Sequence, residues 1–241
     1  MVEVVSVDER LDLALADGRI VRLGGIDAPS RYRGSPELAE AARDKLSDLV
    51  AGRPAELLLL ASGTDRWGRI VADLALTTGE AGEFSAATAL LQAGYARVRP
   101  EFDTRGCASA RLETEEEARR AGLGLWRDPA FAVAPAADGR RLRKFDGQFV
   151  VVEGRVRRVG FGRSRLYLDL GPRGGATIVV ERRLQPILVR SGNPVDALVG
   201  QTIRARGALD DRFGPRIDVS DPAMIEIVRR PDATGEEDLH P

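Results

Sequence analysis

The stretch Ile20-Val21-Arg22-Leu23-Gly24-Gly25-Ile26-Asp27-Ala28-Pro29-Ser30 constrains the fold more than any other. Its apolar residues Ile20, Val21 and Leu23 bracket Arg22 and spell a strand. The strand ends at the corner Asp27-Ala28-Pro29, because proline fixes its own φ and drives the residue before it out of the helical region. Such a corner presents polar groups at the rim of a sheet. A second stretch, Thr64-Asp65-Arg66-Trp67-Gly68-Arg69-Ile70-Val71-Ala72, repeats the idea with a glycine turn, an arginine and a strand. Arg22 and Arg69 brought to one rim would clamp phosphate, since guanidinium forks match phosphate oxygens in bidentate geometry.

The surrounding elements favour a small barrel. Val2–Val7 alternates weakly, Leu11, Leu13 and Leu15 alternate with Asp12 and Ala14, and Asp17-Gly18 turns the chain into the Arg22 strand. Ser35-Pro36-Glu37 opens a helix whose apolar stripe is Leu38, Ala42, Leu46, Leu49 and Val50. Residues 55–61 read as a continuous apolar strand, expected to be buried on both faces. Arg69–Thr77 is the next strand, closed by Thr78-Gly79. Phe84–Gln92 and Ala108–Ala121 read as helices, the second with Leu112 and Ala118 inward. Five strands with an inserted helix and two more helices fit an OB-type barrel.

At these residues the resemblance to a known family becomes specific. Arg22-Leu23 through Ile26-Asp27-Ala28-Pro29 resembles the arginine strand and "D-[TA]-P-E" corner of the staphylococcal nuclease (thermonuclease) family. Asp65-Arg66-Trp67-Gly68-Arg69 resembles that family's "D-[KR]-[YW]-G-R", and Gly122-Leu123-Gly124-Leu125-Trp126 its closing "G-[LI]-W". The resemblance spans roughly residues 2–128. It implies a nuclease-type OB barrel with three helices. It also implies a Ca2+ site built on Asp27 and on an aspartate of a "D-G-D-T" turn, a glutamate after the corner proline, and a phosphate clamp of Arg22 and Arg69.

Two of those positions depart from the pattern. Ser30 stands where the glutamate belongs, and a hydroxyl cannot serve as a carboxylate base; such help is worth ~10²–10⁴ in rate. The "D-G-D-T" turn is replaced by Val7-Asp8-Glu9-Arg10-Leu11-Asp12. Arg10, Glu9 or Leu11 falls on the metal aspartate, depending on the register. Three readings follow. The domain is a degenerate nuclease that binds nucleic acid or phosphate. Or it is an active endonuclease using Asp8, Glu9 or Asp12 as the substitute metal ligand. Or it is a module that docks protein partners. Arg22 and Arg69 either hold phosphate or pair with Asp27, Asp65 or Glu37. Asp27 either binds metal or caps its turn. Trp67 is read as packing in preference to base stacking. Cys107 and His240 receive no role.

Residues 129–145, rich in alanine and proline, read as a linker. Residues 146–230 start a new strand-rich unit, and 231–241 form an acidic tail. The second unit resembles the C-terminal extension of some bacterial nuclease-family members, so the whole chain is expected to be mainly β with two OB-like barrels. Its 15 basic against 10 acidic residues contrast with 36 against 37 for the whole chain. Arg157, Arg158, Phe161, Arg163, Arg165 and Tyr167 interleave charge and aromatics around one hairpin, a pattern suited to single-stranded DNA or RNA. Arg182, Arg183, Arg204 and Arg206 extend that patch or lie elsewhere. No apolar run approaches membrane-spanning length, and no basic n-region precedes an apolar run, so the expected location is the cytoplasm, or outside the cell if a leader has been trimmed.

Overall fold

The computed structural model describes residues 1–30, 33–77, 83–101, 108–190 and 194–228. Thr78-Gly79, Cys107, His240 and the acidic tail lie outside the described residues.

The first half builds a sheet from β1 (Val4–Val7), β2 (Asp12–Leu15) and β3 (Ile20–Leu23). The chain then passes β4 (Ile26–Asp27) and enters α1 (Pro36–Val50). Ser35 caps α1 by accepting from the Leu38 N–H, and Ala42, Leu46 and Val50 are buried beneath it. Next come β5 (Ala55–Thr64) and β6 (Ile70–Thr77), giving the order β1-β2-β3-β6-β5 with β3 and β6 parallel. β7 (Glu83–Ser85) pairs with β6 and leads into α2 (Ala86–Gln92). β8 (Arg97–Val98) pairs only with β4 among the described residues, and α3 (Ala108–Arg120) completes the cover.

The closing motif is legible in atoms. Leu125 N–H donates to the Gly94 carbonyl at 2.8 Å. A Cβ on Gly124 would stand 2.3 Å from that same oxygen, so the backbones meet only because residue 124 is glycine.

The second half repeats the plan. β10 (Phe149–Phe161), β11 (Arg165–Leu170) and β12 (Ala176–Glu181) form a meander. After α5 (Gln185–Arg190) come β13 (Thr202–Asp210), β14 (Arg216–Val219) and β15 (Ile225–Ile227). The pairings β10–β11, β11–β12, β12–β14, β14–β13 and β13–β10 close a ring. β12 and β14 are parallel, as β3 and β6 are in the first half.

Three expectations need correction. Residues 129–145 are not a free tether: β9 (Ala134–Pro135) pairs with β10, α4 (Gly139–Leu142) follows it, and Phe131, Ala134, Ala136 and Leu142 are buried. Alanine suits this path because the small side chains of Ala134 and Ala136 pack into the second core, while Pro135 between them faces solvent. β5 is not buried on both faces, for Leu58 is 42% and Leu59 65% exposed. The inner face of α3 carries Arg111 and Glu115 between Ala108 and Ala118.

That last departure has a cause. Apolar packing falls into two clusters, one from Leu11 to Val98 and one from Ala134 to Ile225. Much of the contact between them is ionic. Arg206, fully buried, donates to Glu115 and to the Val98 carbonyl, both at 2.9 Å, and pairs with Glu226. Arg204 reaches Glu116 and Glu153, each at 3.0 Å. Burial pushes the Arg206 guanidinium down, but Glu115 and Glu226 outweigh it and hold the group above its ordinary value.

Candidate functional site

Arg22 and Arg69 reach the same rim because β3 and β6 are parallel neighbours. Their forks are already filled. Arg22 donates Nη1 and Nη2 to the two carboxylate oxygens of Glu101 at 3.2 and 3.0 Å, and its Nε lies 3.9 Å from Asp65. Arg69 donates Nη1 to both oxygens of Asp12 at 3.0 and 2.8 Å, and Nε to Asp65 at 2.9 Å. Burial lowers the Arg69 guanidinium, and Asp65 and Asp12 more than offset this, raising it above its usual value. Phosphate would have to displace three carboxylates to enter both forks. Of the partners weighed from sequence, Asp27, Asp65 and Glu37, Asp65 is found here; Glu101 and Asp12 were not among those weighed.

Asp27 sits apart from this cluster. It lies on β4 directly opposite Arg97 of β8. Arg97 donates Nε and Nη2 to the Asp27 Oδ2 at 3.2 and 2.5 Å, and Arg33 approaches the same oxygen at 3.4 Å. Both arginines also donate to the carbonyl of Phe149, the first residue of β10. Phe131 lies 4.8 Å from the Arg33 guanidinium and 5.1 Å from that of Arg97, ring centre to carbon. Burial and the Arg97 charge, against a partial offset from Asp27, push Arg33 down to about 10. The corner aspartate thus holds two cations against the second ring.

The open cleft beside Arg69 has a volume of about 980 Å³ and is lined by Asp8, Glu9, Arg10, Ser30, Trp67 and Arg99 besides. Asp8 is spent on the turn that replaces the family's "D-G-D-T": its Oδ1 accepts from the N–H groups of Arg10 and Asp12 at 2.8 and 2.9 Å. That turn holds Leu11 at φ 63°, a left-handed conformation costly for a leucine. Asp12 is taken by Arg69. A Ca2+ ion needs several oxygen ligands converging at one point. Among the described residues no group of three or more acidic, histidine or cysteine side chains is placed to hold a metal, so the implied ion does not fit this arrangement. Trp67 does not pack inward: it is 61% exposed, with the guanidinium of Arg66 at 3.9 Å and of Arg69 at 4.8 Å from its ring centre.

The hairpin of the second ring is divided by its register. Tyr167 stands opposite Gly160, and Arg158 opposite Asp169, so these four share the outer face with Arg165. Phe161 stands opposite Leu166, whose side chain is fully buried inside the ring, so it belongs to the other face and emerges only at the rim. Arg157 falls in the irregularity between Val156 and Arg158, and Arg163 in the exposed turn. The Tyr167 ring leans over the turn: a Cβ on Gly162 would meet its Cε2 at 3.1 Å. Arg158 is paired with Asp169 at 2.7 Å. Arg182 and Arg183 are exposed, while Arg204 and Arg206 face the first half.

Residues that sequence reasoning missed are Arg33, Arg97, Glu101, Arg111 and Glu115; of the two alternatives left open for Arg204 and Arg206, they lie away from the hairpin patch. A signal existed for Glu115: it lies on the stripe 108, 111, 115, 118, whose spacing is that of one helix face. Arg97 and Glu101, in what reads as a connector, gave none.

The sequence profile described as Staphylococcal nuclease homologue matches residues 20–128. No curated protein matches the chain. Among the described residues no helix is long and apolar enough to cross a membrane. The matched span holds both arginine stretches, the Asp27 corner and the closing Gly-Leu-Trp, and residues 20–128 are accordingly a domain of the staphylococcal nuclease family.

Proposed function

We propose that this chain binds nucleic acid without cleaving it. The observation that carries the reading is the pairing of Asp27 with Arg97 and Arg33. It removes the corner carboxylate from the cleft and commits it to the contact between the two halves. Ser30 leaves no carboxylate at the position expected to serve the attacking water, and the forks of Arg22 and Arg69 are taken by Glu101, Asp12 and Asp65. Together these disfavour calcium-assisted phosphodiester hydrolysis. They leave the fold and its cationic surfaces.

Binding is assigned to the outer face of the β10–β11 hairpin, within a second barrel of OB type. Tyr167 offers one ring face over a glycine-rich turn, and Arg163 and Arg165 supply exposed cations beside it. A single strand suits such a surface, because every base has a face to stack and each stack is worth ~1–3 kcal/mol. Phosphate contacts make the affinity fall with salt.

The test pairs two measurements on the purified chain. Incubation with labelled DNA and RNA in calcium should give no cleavage above background. Fluorescence anisotropy should show salt-sensitive binding of a short single strand. Calcium-dependent cleavage abolished by Arg69→Ala would overturn the first part, and binding unaffected by Arg165→Ala combined with Arg163→Ala would overturn the second.

A further inference from the structure

The turn that joins β11 to β12 borders a cavity of about 430 Å³, lined by Arg158, Asp169, Arg173 and Thr177 together with the turn's own backbone. Sites for small ligands span ~300–1,000 Å³. Residues 172–175 make a type II turn: the Gly175 N–H donates to the Pro172 carbonyl at 2.9 Å, and Gly174 sits at φ 90°. Its rim is held on two sides. The Ala176 N–H donates to the Ala136 carbonyl at 2.7 Å, and the Thr177 N–H to the Pro215 carbonyl at 2.9 Å. A Cβ on Gly171 would stand 3.0 Å from the Cα of Ala137, so only glycine lets the turn lie against that segment.

The charged groups of the cavity are arranged in order. Arg158 reaches from β10 and places Nε and Nη2 on one oxygen of Asp169, at 2.8 and 2.7 Å. Thr177 donates its hydroxyl to the other oxygen at 3.1 Å. The carboxylate is thus occupied on both sides. It fixes the guanidinium by one edge and leaves Nη1 for a ligand, on a side chain that is 76% exposed. Arg173 is exposed, and its side chain has no partner among the described residues. Two cations against one carboxylate leave the cavity one positive charge in excess.

From this arrangement we propose that the cavity at the β11–β12 turn is a phosphate site, with Arg158 and Arg173 as its two cations. Its occupant rests on the reading of the hairpin as a single-strand surface: the cavity takes the backbone phosphate next to the base that stacks on Tyr167. The register supports that path. Tyr167 and Asp169 lie on one face of β11, two residues and so about 7 Å apart. One sugar-phosphate unit spans such a distance. Along β11 a polyanion passes from Arg165 to Arg158. Across the sheet it would meet Asp218, which stands beyond Val179 on β14.

Two measurements on the full chain test the site, one without a strand and one with it. Amide NMR spectra are followed during titration with inorganic phosphate, against sodium chloride at equal ionic strength. The amides of Arg173, Gly174, Gly175 and Thr177 should shift saturably with phosphate, and Arg173→Ala combined with Arg158→Gln should abolish the saturation. Both side chains stand in solvent, so circular dichroism should not change. Anisotropy of a short labelled single strand across a salt series is the second readout. The double variant should flatten the slope of log K against log salt by about 1.4, two phosphate contacts at ~0.7 each. Turn amides that move no further with phosphate than with chloride overturn the phosphate site. A strand whose salt slope the double variant leaves unchanged overturns the site's place in the strand path. Saturable phosphate shifts in a chain that binds no strand support the site as one for free phosphate and overturn the hairpin reading alone.

Discussion

Arg97 holds Asp27 from the directly opposite position of a two-residue ribbon, with its Nη2 2.5 Å from the carboxylate. The same guanidinium nitrogen donates to the Phe149 carbonyl at 2.9 Å. One arginine therefore ties the corner of the nuclease-family domain to the first strand of the second ring. A carboxylate so placed is worth more as a counter-charge than as a ligand. Removing one partner of a buried ion pair leaves the other charge stranded in low dielectric.

Asp27→Ala should therefore act on stability. It strands both Arg33 and Arg97, and a cost of about 3–5 kcal/mol is expected. Urea unfolding of the full chain measures it. Millimolar calcium should raise the melting temperature of neither the parent nor the variant. A calcium-dependent rise lost in Asp27→Ala would restore the metal reading.

The two cations at Asp27 should not be equivalent. Arg97 is the better placed, and Arg33 is pushed down to about 10 because burial and its neighbour disfavour its charge. Arg33→Met replaces a poorly placed cation with a chain of similar length that still covers Phe131. Its loss in stability should be smaller than that of Arg97→Met by roughly 2 kcal/mol, the scale on which a well-made buried pair differs from a poorly made one. Equal losses would show that the pair acts as one unit.

Acid should weaken the contact between the halves. Burial raises the Glu116 carboxyl, but Arg119 and Arg204 more than offset this and hold it below its usual 4.5. A carboxyl lowered in the folded state contributes stability that is complete above its unfolded value. That contribution drains away as pH falls through the lowered one. Unfolding free energy should thus stay level across neutral pH and drop below about 4.5, the ordinary Glu116 value. Arg204→Met should flatten the acid limb, because Glu116 then moves back toward its ordinary value. Denaturant titrations across that range, on both proteins, read the slope directly.

What the sequence revealed and what it hid differ by the range of the forces involved. Periodicity fixes β2, α1 and most of β10 to β14, since alternation and capping are local. Arg22 and Arg69 were legible as neighbours because each is anchored by a strand–turn pattern. Asp65, four residues before Arg69, was also legible, but two other partners were not: Glu101 lies 79 residues from Arg22, and Asp12 lies 57 residues from Arg69. The alanine-rich run at 130–139 misled because small residues suit a tether and a close-packed edge equally. The hairpin's six residues read as one patch because composition does not report register. A strand irregularity at Arg157 decides which side chains share a face.

That register supplies the last expectation. Tyr167 and Phe161 are both exposed aromatics on one hairpin, 38% and 59%, and composition would rank Phe161 first. Yet Tyr167 shares its face with Arg158 and Arg165, while Phe161 stands opposite Leu166 on the face that enters the ring. A strand held by the arginines can stack on Tyr167 and cannot reach Phe161 without turning over the rim. Tyr167→Ala should therefore cost ~1–3 kcal/mol in affinity for a short single strand, and Phe161→Ala less than about 0.5. Both side chains stand in solvent, so both variants should fold as the parent does. Anisotropy titrations at one low salt concentration compare them. If Phe161→Ala proves the more damaging, the bound strand lies over the barrel rim, and the outer face of β11 is a solvated surface.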